Sequence, residues 1–196
     1  MRTLLLLGWL LLPAGGVAYH FGPGQDALKL DDADTILVAA AKAVADQDWA
    51  TADSKLEEAL KLLPADQKDA VFRTRLERAK AQMFLKKVPQ AQDELHGLLA
   101  DLTDAKASPE LLRQTREALA NTHFYMTWMM RLEGAPREVW EPEIEAARQN
   151  YKLLALDAEQ EGKQELATGS RGDLEATVKL ARLEVQDLQG LPLPSQ

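Results

Sequence analysis

The chain has 196 residues, 46% of them hydrophobic, enough for one ordinary domain with a buried core. It carries 23 basic against 31 acidic residues, a formal charge of -8, and no run of Lys or Arg that could track a phosphate backbone, so nucleic acid is not an expected partner. It has no cysteine, which excludes disulfides, thiolate metal sites and a cysteine nucleophile.

At the N-terminus, Arg2 precedes an apolar stretch from Leu4 to Ala18, interrupted by Pro13 and closed by the small residues Gly16-Val17-Ala18. A positive start, a short apolar segment and small residues at the cleavage position are the pattern of an export signal cut after Ala18. The stretch is shorter than the roughly 20 residues that usually span a membrane. An uncleaved anchor and a buried first helix are the alternatives. The expected organisation is therefore a signal or anchor over 1–18, a leader over 19–33, a helical domain over 34–188 and a flexible tail over 189–196. The chain is expected to be exported, in a periplasmic or other extracytoplasmic space.

Gly22-Pro23-Gly24 opposes continuous helix, and Asp31, Asp32 and Asp34 crowd the start of the next apolar segment, where carboxylates cap free amides. The glycine turn and distal glutamate of a calcium loop do not follow them. Ile36 to Val44 predict a first, alanine-rich helix, and Asp46-Gln47-Asp48 a turn into a second that starts near Trp49 and stops at Pro64. Val71, Phe72, Leu76, Ala79, Met83 and Phe84, at spacings of three and four, predict a third helix from Asp66 to Leu85. A fourth is expected from Gln90 to Leu102.

Ser108-Pro109-Glu110 combines an N-cap, a first-turn proline and an acidic residue, and starts a long helix to Leu132 that Gly134-Ala135-Pro136 ends. A connector containing Trp140 then leads to a second proline-type start at Pro142, with Glu141, Glu143 and Glu145 as helix-start electrostatics. Ile144, Ala147, Tyr151 and Leu154 line one face of that helix. A glycine-containing polar stretch, 162–172, predicts a break. A last helix over Asp173–Leu188, with Leu174, Val178, Ala181 and Val185 as its stripe, is expected to close the stack.

Two segments share one spacing: Trp49, Ala52, Leu56, Ala59 and Pro64, then Val88, Ala91, Leu95 and Leu98. This resembles the second helix of the tetratricopeptide repeat, in which a small residue lets two helices approach closely. Ala79 and Ala120 fall on the small position of first helices, and Ala147, Tyr151 and Leu154 form a weaker third match. Ile36 and Ala40 depart from the signature tryptophan and glycine, which makes the repeat divergent.

The resemblance implies an all-α fold, antiparallel hairpins stacked as a short right-handed superhelix with a C-terminal capping helix. It also implies a non-catalytic protein-interaction scaffold of the cell envelope that needs no cofactor and holds its protein partner on the concave face of the first helices. Family spacing places Leu37, Ala41 and Val44 of the first hairpin, Arg73, Leu76, Lys80 and Phe84 of the second, and Gln114, Asn121 and Tyr125 of the third on that face. The basic clamp that some relatives use for a terminal carboxylate is missing, because its first-unit positions hold Leu37 and Ala41.

Other chemistry is sparse. His20, His96 and His123 have no metal-ligand spacing, and His123 reads as a hydrogen-bonded, partly buried imidazole. Phe124, Tyr125, Trp128, Met129 and Met130 form a soft, aromatic cluster whose plain reading is core packing. Arg171-Gly172-Asp173 matches an adhesion tripeptide, but Asp173 serves as a helix cap on this reading. A second reading of the chain is a helical-bundle enzyme or small-ligand carrier with its site near His123, Tyr125 and Trp128. A third has the helices self-associating to organise a membrane complex.

Overall fold

The computed structural model describes residues 23–190, so the expected signal at 1–18, the leader as far as residue 22 and the tail from residue 191 lie outside the described residues. The fold is all-α. Seven α-helices occur among the described residues: α1 Pro23–Ala45, α2 Trp49–Leu62, α3 Lys68–Phe84, α4 Val88–Asp104, α5 Pro109–Leu132, α6 Arg137–Gln160 and α7 Gln164–Arg182. A 3-10 helix, Val185–Gly190, follows. No helix among the described residues is long and apolar enough to cross a membrane.

The chain forms two compact units whose boundary falls within α3, after Thr74. In the first, α1 and α2 pack as a hairpin through small residues: Ala40, Ala52 and Ala59 are each at most 1% exposed. Alanine at a contact lets helix axes come close while still covering backbone. Asp48 caps α2, its carboxylate accepting the Thr51 amide at 3.1 Å.

In the second unit α4, α5, α6 and α7 pack consecutively, each on the next. Its core gathers Ala120 and Phe124 of α5, Trp140, Ile144, Ala147, Tyr151 and Leu154 of α6, Leu180 of α7 and Leu188 of the 3-10 helix. Leu188 is 1% exposed, and the indole N–H of Trp128 donates to its carbonyl at 3.3 Å, which draws the 3-10 helix onto α5.

Five of the turns share one solution. Gln47, Lys86, Lys106, Gly134 and Gly162 each take positive φ, between 50° and 75°. Each N–H bonds back to the carbonyl three residues earlier, and the next residue's N–H to the one five earlier, as in Gly134 to Arg131 and Ala135 to Met130. That is the paired bonding of a Schellman motif, which satisfies carbonyls that a helix end leaves open. It turns the chain back within a few residues, as an antiparallel hairpin requires.

Several boundaries differ from expectation. α1 begins at Pro23, because a first-turn proline forfeits only an amide that has no helical partner anyway. Asp31, Asp32 and Asp34 therefore lie inside the helix and are not caps; the carbonyl of Asp31 accepts the Thr35 hydroxyl at 3.0 Å. α6 begins at Arg137, so Trp140 is a helical core residue and Pro142 sits inside the helix. Pro142 and Glu138 are both exposed, so the carbonyl that the proline leaves without a helical donor lies on a solvated face.

α7 begins at Gln164 and carries Gly169 and Gly172 within it. Its buried line runs through Ala167, Asp173, Thr177 and Leu180, while Val185 is 47% exposed in the 3-10 helix. Thr177 satisfies its hydroxyl on the Leu174 carbonyl at 2.6 Å, so a polar residue occupies a buried position that hydropathy alone assigns to the surface. Asp173 is likewise buried in mid-helix rather than a cap.

Candidate functional site

α5 presents Gln114, Glu117, Ala118, Asn121, Tyr125, Trp128 and Met129 along one side, at helical spacings of three and four. Opposite them stand Lys80, Met83 and Phe84 at the end of α3, Lys86 in the following turn and Val88 at the start of α4. Between the two sets lies a groove of about 800 Å³. Val88 and Ala118, 4% and 5% exposed, form its floor, and Phe84 is 43% exposed at its edge.

The walls are aromatic and thioether side chains, suited to bulky apolar groups of varied shape. Asn121 is held from behind, its Oδ1 accepting the buried Tyr151 hydroxyl of α6. Burial pushes the Tyr151 phenol well above its ordinary range, so it stays a neutral donor. The lysines edge the groove: Lys80 pairs with Glu77 at 2.8 Å, while Glu117 accepts from Arg113 at 2.8 Å.

Five of the seven contact residues expected of the second and third hairpins, Lys80, Phe84, Gln114, Asn121 and Tyr125, meet in this groove. Leu76 does not: it is 1% exposed in the core, so it supports the helix and offers no surface. Arg73 lies outside the groove as well, exposed and paired with Asp69 at 2.7 Å one turn earlier. Of the cluster read as core packing, Phe124 is fully buried, Met130 and Trp128 pack on the core, and Trp128 and Met129 also line the groove. The signal that separates them was available in the three-and-four spacing that runs from Gln114 and Ala118 through Asn121 and Tyr125 to Met129.

A polar cluster occupies a different face of α5. Oε2 of Glu143 accepts from the Gln92 amide at 2.7 Å and lies 2.7 Å from Nδ1 of His123, and the His96 ring meets His123 edge-on at 5.3 Å. His123 is 5% exposed, its Nε2 has no hydrogen-bond partner, and its Nδ1 also lies 2.8 Å from the Gln92 amide nitrogen. The hydrogen bond from His123 is the main reason the Glu143 carboxyl is held below its ordinary range. Burial chiefly, with the neighbouring His123, lowers His96.

Glu143 thus ties α6 to α4 and α5. It is not helix-start electrostatics, because α6 starts six residues before it. Glu141 and Glu145 do remain on the surface, paired with Arg137 and Arg148.

Comparison with protein-family models, curated proteins and solved structures returned no match. The functional reading therefore rests on the groove and on the helices that form it.

A smaller recess of about 280 Å³ lies between the start of α5 and the end of α6, but its charges are mutually paired: Arg113 with Glu110, Arg116 with Asp157, Lys163 with Glu161. Among the described residues no group of three or more His, Asp or Glu is placed to hold a metal ion.

Proposed function

We propose that this chain is an exported, non-catalytic scaffold of divergent tetratricopeptide-like hairpins that holds a protein partner in the groove between α3 and α5. The observation that carries the reading is the groove itself, where two alternate helices of the chain present an apolar wall edged by polar side chains. Support for the repeat comes from Ala52, Ala59, Ala79, Ala91, Ala120 and Ala147, each fully buried at the small positions that the repeat requires. An apolar, aromatic concavity of this kind supplies anchor pockets for a few bulky side chains, which carry most of the affinity in protein interfaces.

The test is site-specific photo-crosslinking in the native envelope, with the reactive group at Phe84 or Trp128 and a control at exposed Arg148. A defined protein adduct from the groove positions alone is the expected result. Equal adducts from the control would remove the groove from the function. Sequencing the N-terminus of the recovered chain tests the export reading, with a start at Tyr19 for cleavage and at Met1 for a retained anchor.

A second reading, a small-ligand carrier, draws on the groove volume, which lies within the range of roughly 300–1,000 Å³ typical of small-molecule sites. Tyr125 and Trp128 would line such a site, but His123 belongs to the Glu143 cluster on another face.

A further inference from the structure

We propose that the occupant of the groove is an acidic amphipathic segment of the partner, its bulky apolar side chains seated over Ala118 and its carboxylates set toward Lys80 and Lys86. The inference rests on the scaffold reading and specifies the chemistry of what the groove accepts.

The charge balance argues for it. The whole chain is acidic, at -8, yet the groove carries two lysines against one glutamate. That glutamate, Glu117, is itself drawn to the guanidinium of Arg113 at 2.8 Å, a charge it shares with Glu110. Lys80 is held by an exposed pair with Glu77, three residues earlier, at side-chain exposures of 39% and 46%. Pairs of that kind contribute at most about 1 kcal/mol, so the ammonium is readily exchanged to an incoming carboxylate. Lys86 stands exposed in the turn between α3 and α4. A basic segment would meet both ammonium groups without compensation, whereas an acidic one is complementary at the edge and specified by it.

The apolar part argues for side chains in number. Ala118 and Val88 keep the floor shallow-walled and uncharged, while Met83 and Met129 supply adaptable flanks and Phe84, Tyr125 and Trp128 supply rings. A volume of about 800 Å³ accommodates several bulky side chains, as an amphipathic segment presents along one face.

The test is selection of displayed random dodecapeptides on the full-length protein, followed by calorimetric titration of the enriched peptides. The titrations use wild type, the double variant Lys80→Glu/Lys86→Glu and the groove variant Phe84→Ser. All three positions are at least partly exposed, so the variants keep the fold, checked by circular dichroism. Enriched peptides are expected to combine bulky apolar residues with Asp or Glu, and to lose about tenfold in affinity for the charge-reversed protein.

Peptides that weaken on Phe84→Ser but bind the charge-reversed protein as well as wild type overturn the acidic segment and leave the groove reading standing. Peptides indifferent to both variants bind elsewhere and overturn the two readings together. Failure to enrich any peptide does the same, and saturable binding of dodecanoate in that case assigns the groove to a small amphiphile.

Discussion

The guanidinium of Arg131 lies 4.9 Å above the ring of Trp140, and from that position it donates to the carbonyls of Leu180 and Leu183 at the end of α7. One side chain from α5 thus uses the face of an α6 aromatic and caps the open carbonyls of a third helix. Burial lowers the Arg131 pKa from its ordinary value, but a guanidinium remains charged throughout the working pH range.

Replacing Arg131 with Lys keeps the charge and loses the fork that reaches two carbonyls at once. Buried hydrogen bonds to charged groups contribute roughly 1.5–3 kcal/mol. Arg131→Lys is expected to destabilise the second unit by about 2 kcal/mol in urea unfolding, with exchange protection lost first in α7 and the 3-10 helix. An unchanged midpoint would show that water replaces the guanidinium there.

Acid should weaken the fold in two stages. His96 has a folded pKa below its ordinary 6.5, so the unfolded chain takes up a proton first and stability falls as pH drops below 6.5. Glu143 has a folded pKa below its ordinary 4.5, so its contribution is present above 4.5 and is lost as pH falls through the folded value. In urea melts across pH 7 to 3, His96→Gln should flatten the upper stage and Glu143→Gln the lower. If each variant retains the wild-type slope in its own stage, the cluster does not couple to folding.

Ala52 and Ala91 are both 0% exposed where helices meet. Ala52→Leu or Ala91→Leu is expected to cost about 1–3 kcal/mol through overpacking. Thermal melts that match wild type in both variants would remove the close helix approach on which the repeat reading stands.

The turns make a paired prediction of opposite sign. Gly134 and Gly162 have φ of 75° and 72° with open space around an added Cβ, so Gly→Ala there costs only the left-handed backbone, about 1 kcal/mol. Lys106 bears the same kind of conformation at φ 50° on an exposed turn, and Lys106→Gly should stabilise by a similar amount. A destabilised Lys106→Gly would mean that the side chain earns its place through a contact in solution.

Hydrophobic spacing of three and four made the helices legible, and α5 runs between the residues that Ser108-Pro109 and Gly134 mark. Local chemistry was decisive there because cap, proline and glycine act on the backbone within a few residues. It was ambiguous at Gly24, Pro142 and Gly172, since a helix accommodates each of these residues at its first turn, on a solvated face or under the cover of neighbouring helices.

The groove was half legible. The resemblance to the repeat placed Asn121 and Tyr125 on one face of α5, and Lys80 and Phe84 on one face of α3, but it assigned Leu76 and Arg73 to the same strip. Periodicity reports the angle of a side chain about its own helix. Whether that angle meets another helix or solvent depends on where the neighbour lies, which is how Leu76 became core, Met129 became wall and Trp128 serves both.

Charge partners across helices had no local signature either. Glu143 and His123 stand 20 residues apart, and Arg131 reaches carbonyls 49 and 52 residues away. The amino-acid order by itself determined the all-helical class, most of the helix ends and the small residues at the contacts, because those follow from backbone preferences over one or two turns. Only the tertiary structure decided which faces of α3 and α5 border a groove and which polar side chains are tied together in the interior, because those depend on how separate helices pack.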